Sequence, residues 1–137
     1  MDSSTLRSPI ESLGPRKPTC VQTDTKILDV IKTMKENKFG CVCVVQNRRL
    51  VGILTERDIL TKVVGGNLNA AEVCAKDVMT PNPEYLFPDD QIAFALNRMH
   101  VGGFRHIPLT DLGGMPTGLV SVRDIAAFLV KSLQIDN

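Results

Sequence analysis

No sign of charge dominates this sequence. Sixteen Lys and Arg against 15 Asp and Glu leave a formal net charge of +1 over 137 residues. That balance removes the electrostatic case for broad nucleic-acid binding. No apolar run approaches membrane-spanning length, and the N-terminus lacks the apolar core of a secretory signal. The expected protein is therefore soluble and cytoplasmic, without membrane or nucleic-acid partners. Catalytic signatures are missing as well. There is no Gly-x-Ser-x-Gly elbow, no paired His on a helix and no P-loop. Val64-Gly65-Gly66-Asn67 lacks the Lys-Ser/Thr that a phosphate cradle requires. No catalytic residue is assigned, and the chain is not expected to be an enzyme by itself. Cysteine is present four times but without zinc-ligand spacing: Cys20 and Cys74 lie far from Cys41-x-Cys43 in sequence. Cys-x-Cys within a Val-rich strand reads as small buried filler, reduced and free of metal.

What is present is a repetition. Gly52-Ile53-Leu54-Thr55-Glu56-Arg57-Asp58-Ile59 returns as Gly118-Leu119-Val120-Ser121-Val122-Arg123-Asp124-Ile125. Upstream, Ile27, Ile31, Met34 and Phe39 align without a gap on Ile92, Leu96, Met99 and Phe104, and Asp24 aligns on Asp89. The second copy gains one residue near Leu112-Gly113-Gly114, where a turn absorbs it. A segment repeated at domain spacing fixes domain count and candidate site together.

Each copy reads as strand, helix, strand, strand, helix. Ile27, Ile31 and Met34 share a helical face, and Asp24 or Thr25 and Asp89 stand where N-caps are wanted. Cys41–Val45 and Leu50–Leu54 are short β-branched runs joined by a turn at Gln46-Asn47-Arg48-Arg49. Pro81, Pro83 and Pro88 punctuate the crossing between copies. The first eighteen residues, with Pro9, Pro15 and Pro18, read as a flexible leader. One copy alone is too small for a comfortable core, so the two are expected to pack as one unit.

The Thr/Ser-x-x-Asp element carries chemistry of its own. A carboxylate at a helix start can accept hydrogen bonds from two vicinal hydroxyls of a ribose. The hydroxyl residue and the free amides beside it can receive a phosphate oxygen. Apolar residues on the preceding strand offer a slot for a flat base. The same pattern is also a capping box that needs no ligand, and both roles can coexist. Arg105 and His106 stand where the first copy has Gly40 and Cys41, so two otherwise similar clefts differ in cationic donors. Arg57 and Arg123 are weaker candidates, since an Arg in a first helical turn usually points to water.

In order and duplicated, these motifs resemble a tandem pair of cystathionine-β-synthase (CBS) domains, over about Thr19 to Leu133. The resemblance rests on Gly-apolar-apolar-Thr/Ser-x-x-Asp in both copies, on Asp77-Val78-Met79-Thr80-Pro81, and on Phe104-Arg105-His106-Ile107-Pro108. It implies an α/β (α+β) fold of two β-α-β-β-α repeats packed about a pseudo-two-fold axis. The division is a leader at 1–18, a first repeat with its connector at 19–76, and a second repeat at 77–137. It further implies a regulatory module for an adenine nucleotide (AMP, ADP or ATP) or a related adenosyl ligand, with no required cofactor. Such a module acts through a homodimer or on a protein partner in trans. Candidate ligand-binding residues are Thr19, Val21, Thr55, Asp58, Arg105, His106, Ser121, Arg123 and Asp124. A ligand-free dimerisation or docking module is the competing reading. On the pseudo-two-fold arrangement, Arg105 and His106 would approach the ligand of the opposite copy. The Thr55/Asp58 cleft would then bind phosphate better than the Ser121/Asp124 cleft.

Overall fold

The computed structural model describes residues 3–136. It has the mixed α/β repeat fold that the sequence implies, in two compact units. The first unit comprises Pro18–Pro83 and Leu112–Pro116. The second comprises the N-terminal segment up to Lys17, Glu84–Asp111, and the chain from Thr117 onward.

In the first unit, β1 (Cys20–Gln22) leads to helix α2 (Ile27–Asn37), after the short N-terminal helix α1 (Ser3–Leu6) of the other unit. Strands β2 (Cys41–Gln46) and β3 (Arg49–Thr55) form a hairpin whose turn residues Asn47 and Arg48 both have positive φ, 52° and 62°. That geometry matches the twist of the flanking strands. Helix α3 (Glu56–Asp58) then widens into a π-helical stretch (Ile59–Val64), and α4 (Ala75–Val78) precedes β4 (Thr80–Pro81). The sheet order is β1-β2-β3-β4, with β1 parallel to β2 and the other pairs antiparallel. Ile27, Val30 and Met34 of α2 pack on Val21, Val42, Val44 and Leu54.

The second unit repeats the plan with shorter edges. Helix α5 (Ile92–Gly102) buries Ile92, Ala95 and Met99. Strands β5 (His106–Thr110) and β6 (Pro116–Ser121) pair, and α6 (Val122–Asp136) follows. The counterpart of β1 is reduced to a single parallel bridge, Leu86 to Leu109, in the same register as Val21 to Val44.

The N-terminal segment, expected as a flexible leader, is packed into the second unit. Ile10 starts a 3-10 turn (Ile10–Leu13), is fully buried and belongs to the core with Ile92, Ile107 and Ile125. Its amide donates to Asp90 O (2.8 Å), and Glu11 N donates to Pro88 O (3.0 Å). Ala75 N to Thr25 O (2.8 Å) and Lys76 N to Thr23 O (3.0 Å) are the same bonds in the first unit. Residues 8–13 are thus the counterpart of 73–78, and each repeat's core is closed by the helical segment that precedes the other repeat in sequence. Prolines at both ends of the segment suggested looseness. One fully buried isoleucine, with about 1.5–3 kcal/mol of transfer free energy behind it, opposes that.

The same exchange corrects the expected caps. The N-cap positions are Lys26 and Gln91, without a side-chain cap. The first amides of α2 go instead to main-chain carbonyls, Ile27 N to Val73 O (2.9 Å) and Leu28 N to Ala70 O (2.9 Å). Ile92 N of α5 goes to Ser8 O (3.0 Å). Backbone acceptors from the exchanged segment satisfy donors that a side chain would otherwise cap. Exchange also accounts for the glycine opening each repeated motif: a Cβ on Gly52 would run into the Met79 side chain, and one on Gly118 would press on Pro15.

Candidate functional site

Each repeat carries a corner where its last strand turns into a helix. In the first, Thr55 is the N-cap: its Oγ1 accepts from Asp58 N (3.3 Å), and Asp58 Oδ2 accepts from Thr55 N (2.9 Å). In the second, Ser121 Oγ accepts from Asp124 N (3.1 Å), and Asp124 Oδ2 accepts from Ser121 N (2.9 Å). Both corners are reciprocal capping boxes. In each box the aspartate commits one carboxylate oxygen to the backbone and leaves the other to its surroundings.

Those surroundings differ. Asp58 Oδ1 is 3.2 Å from Lys62 Nζ, one turn along the helix, and the same Nζ donates to Val78 O (2.9 Å) at the end of α4. Lys62 therefore latches the first corner, joining its carboxylate to a helix-end carbonyl. The counterpart of Lys62 is Phe128, and the counterpart of Val78 is Leu13. Among the described residues no cation pairs with Asp124. Asp124 instead lines a cavity of about 400 Å³ together with Ser12, Leu13, Ala127, Phe128, Lys131 and Ser132. That volume lies within the range of small-molecule sites, roughly 300–1,000 Å³. Its walls supply an acceptor, a cation and an aromatic face.

The remaining candidates fall at various distances from these corners. Arg105 is exposed, and its carbonyl accepts from Val122 N (3.0 Å), so its main chain lies against the Ser121 corner of its own unit. At the equivalent point of the first unit, Gly40 O accepts from Glu56 N (2.9 Å). There the Glu56 side chain lies over Gly40, where any Cβ would collide with it. His106 begins β5 and is half-buried. Arg123 is exposed. Thr19 accepts from Asn37 Nδ2 through its hydroxyl (3.3 Å) and from Cys43 N through its carbonyl (2.8 Å). The Val21 side chain is in the first unit's core, so its main chain alone is available to a ligand. Sequence reasoning missed Ser12, Leu13, Phe128, Lys131 and Ser132. The helical ones were within reach, because Asp124, Phe128 and Lys131 recur at i, i+4 and i+7 on one face of α6. Nothing in the spacing pointed to Ser12 or Leu13.

The chain belongs to the CBS domain family, whose model matches residues 10–65 and 75–131. Both matches begin at the exchanged segments, Ile10 and Ala75. The CBS domain-containing protein CBSCBSPB1 of Arabidopsis thaliana is 38% identical over 117 residues, covering 79% of this chain and 22% of that protein. The chain thus spans about a fifth of the length of such curated relatives. Among solved structures, CBS domain protein PAE2072 from Pyrobaculum aerophilum complexed with AMP shares the fold. Its TM-score is 0.80, at 23% identity over 90% of this chain and 96% of that one. The CBS domain pair of protein MJ0100, in complex with 5′-methylthioadenosine and S-adenosyl-L-methionine, does so with a TM-score of 0.82. There the identity is 17% over 91% and 98% of the two chains. Among the described residues no helix is long and apolar enough to cross a membrane.

Proposed function

We propose that this CBS pair is a regulatory module that binds an adenosine nucleotide (AMP, ADP or ATP) or a related adenosyl compound and passes on its occupancy through a dimer or a protein partner. The observation carrying this reading is the second corner, where Asp124 pairs with no cation among the described residues and lines a cavity with Lys131 and Phe128. Vicinal ribose hydroxyls donate to such a carboxylate, and Lys131 suits a phosphate. The AMP and S-adenosylmethionine complexes of the two structural neighbours support the adenosyl class. Arg105 and His106 are the further phosphate candidates, with Ser121 and Arg123 beside Asp124, and Thr19 and Val21 belong with Thr55 and Asp58 in the first repeat. Exposed Leu60, Val64, Val130 and Leu133, on the helices that follow the two corners, suit a homodimer contact.

One observation favours the ligand-free reading for the first corner alone: Lys62 already satisfies Asp58. A thermal-shift panel of AMP, ADP, ATP, S-adenosylmethionine and NAD tests the whole proposal. Stabilisation by one adenosyl compound, rising with its concentration, is the expected result. A flat response to all of them would leave the docking module standing.

A further inference from the structure

Cys20 and Cys43 are far apart in sequence and adjacent in the sheet. They are direct partners in the parallel pairing of β1 with β2, so their side chains leave the same face of neighbouring strands. The two thiols influence each other's titration, Cys43 lowering the Cys20 thiol and Cys20 raising the Cys43 thiol. Cys20 is exposed on the edge strand, whereas Cys43 is fully buried on the strand inside it. Adjacent strands lie about 4.8 Å apart, inside the roughly 4.4–6.8 Å Cα separation that a disulfide spans. An open thiol paired in register with a shielded one on the neighbouring strand is the layout of an attacking thiol and its resolving partner.

We propose that Cys20 and Cys43 form a reversible redox site, in which a peroxide oxidises Cys20 and Cys43 closes an intrachain disulfide. The Cys20 thiolate attacks one peroxide oxygen, the O–O bond breaks, and Cys20 becomes a sulfenic acid as the other oxygen leaves as hydroxide, which takes up the proton the thiol released and becomes water. The Cys43 sulfur then attacks the Cys20 sulfur, the S–O bond breaks, and the Cys43 proton departs with the hydroxyl as a second water. Two electrons pass from the thiol pair to the peroxide. The neighbouring Cys43 thiol holds the Cys20 thiol down to about 7, against partial burial, so its reactive form is present at neutral pH. Cys41, two residues along β2, pairs with Thr55 on β3 and has no register partner on β1, which makes it a poor competitor. The bridge would pin β1 to β2 across the loop containing α2, fixing the strand that carries Val21.

The full-length chain is treated with hydrogen peroxide, unfolded, alkylated and digested for mass spectrometry. The expected product is a Cys20–Cys43 linked peptide, an intact mass lower by two hydrogens, and Cys41 and Cys74 alkylated. Dithiothreitol reverses it, and the bridging rate rises with pH through about 7 as the thiolate forms. Accumulation of Cys20 sulfinic acid without a bridge, or bridging of Cys20 to Cys41, to Cys74 or to another chain, overturns the proposal. Cys20→Ser, a conservative change on an exposed edge, should abolish the two-hydrogen loss. A Cys20→Ser chain that still loses two hydrogens also overturns it.

Discussion

The two corners were built from one pattern and then furnished differently. Thr55/Asp58 and Ser121/Asp124 make the same reciprocal hydrogen bonds at nearly the same lengths. Four residues on, the first repeat places Lys62 and the second Phe128. Lys62 ties Asp58 to the end of α4, while Phe128 lies beside Leu13 in the wall of a cavity and leaves Asp124 open. Duplicated backbone geometry therefore says where a carboxylate stands. The side chain one turn along sets what that carboxylate meets, a cation at Asp58 and a cavity wall at Asp124.

The largest effect should come from breaking the shared scaffold where the repeats exchange segments. Ile10→Ala empties a fully buried position in the second unit and should cost about 2–5 kcal/mol. At the equivalent position of the first unit, Ala75→Gly removes one methyl group and should cost about 1 kcal/mol. Urea denaturation measures both. An Ile10→Ala midpoint equal to that of the parent chain would restore the loose leader.

Next in size is the ligand response. A hydrogen bond to a charged group is worth about 1.5–3 kcal/mol. Asp124→Asn should thus weaken AMP roughly 10- to 100-fold by calorimetry, while its amide oxygen can still accept from Ser121 N. Asp58→Asn should change AMP affinity less than about threefold, because Lys62 already holds that carboxylate. Equal losses at the two positions would erase the distinction between corners. Arg105→Ala sharpens it further: if Arg105 holds phosphate, AMP loses affinity and adenosine does not.

Much of this was legible in the sequence because the signals were local and came twice. The short β-branched strands, the turn at Asn47-Arg48 and the Thr/Ser-x-x-Asp boxes follow from residues a few positions apart. What escaped notice depended on distant partners. Helix caps at Asp24, Thr25 and Asp89 were reasonable expectations until Val73, Ala70 and Ser8 carbonyls supplied the acceptors. Residues 8–13 share almost no side chains with 73–78, so the repeat was invisible there although the backbone bonds are duplicated. Cys20 and Cys43 became a pair only through strand register, which sequence separation does not report. Lys62 was in plain view at i+4 from Asp58, a spacing that favours ion pairing, and its contrast with Phe128 argues for the opposite asymmetry to the expected preference of phosphate for the Thr55/Asp58 cleft.

The smallest effect tests that contrast most directly. The Lys62 side chain is 43% exposed and its Asp58 partner 14%, so their attraction is screened and Lys62→Met should cost about 1 kcal/mol or less. Part of that loss is the hydrogen bond to Val78 O, which a double-mutant cycle with Asp58→Asn separates from the ion pair. The ion-pair share should shrink at high salt, and the carbonyl share should not. Binding should move the other way. With the latch gone, Asp58 Oδ1 is left without a cation, and the Lys62→Met chain should gain AMP affinity at the first corner. Calorimetry on Lys62→Met in an Asp124→Asn background isolates that corner. No gain there would mean that Phe128 and the cavity, rather than the freedom of the carboxylate, make the second corner the binding one.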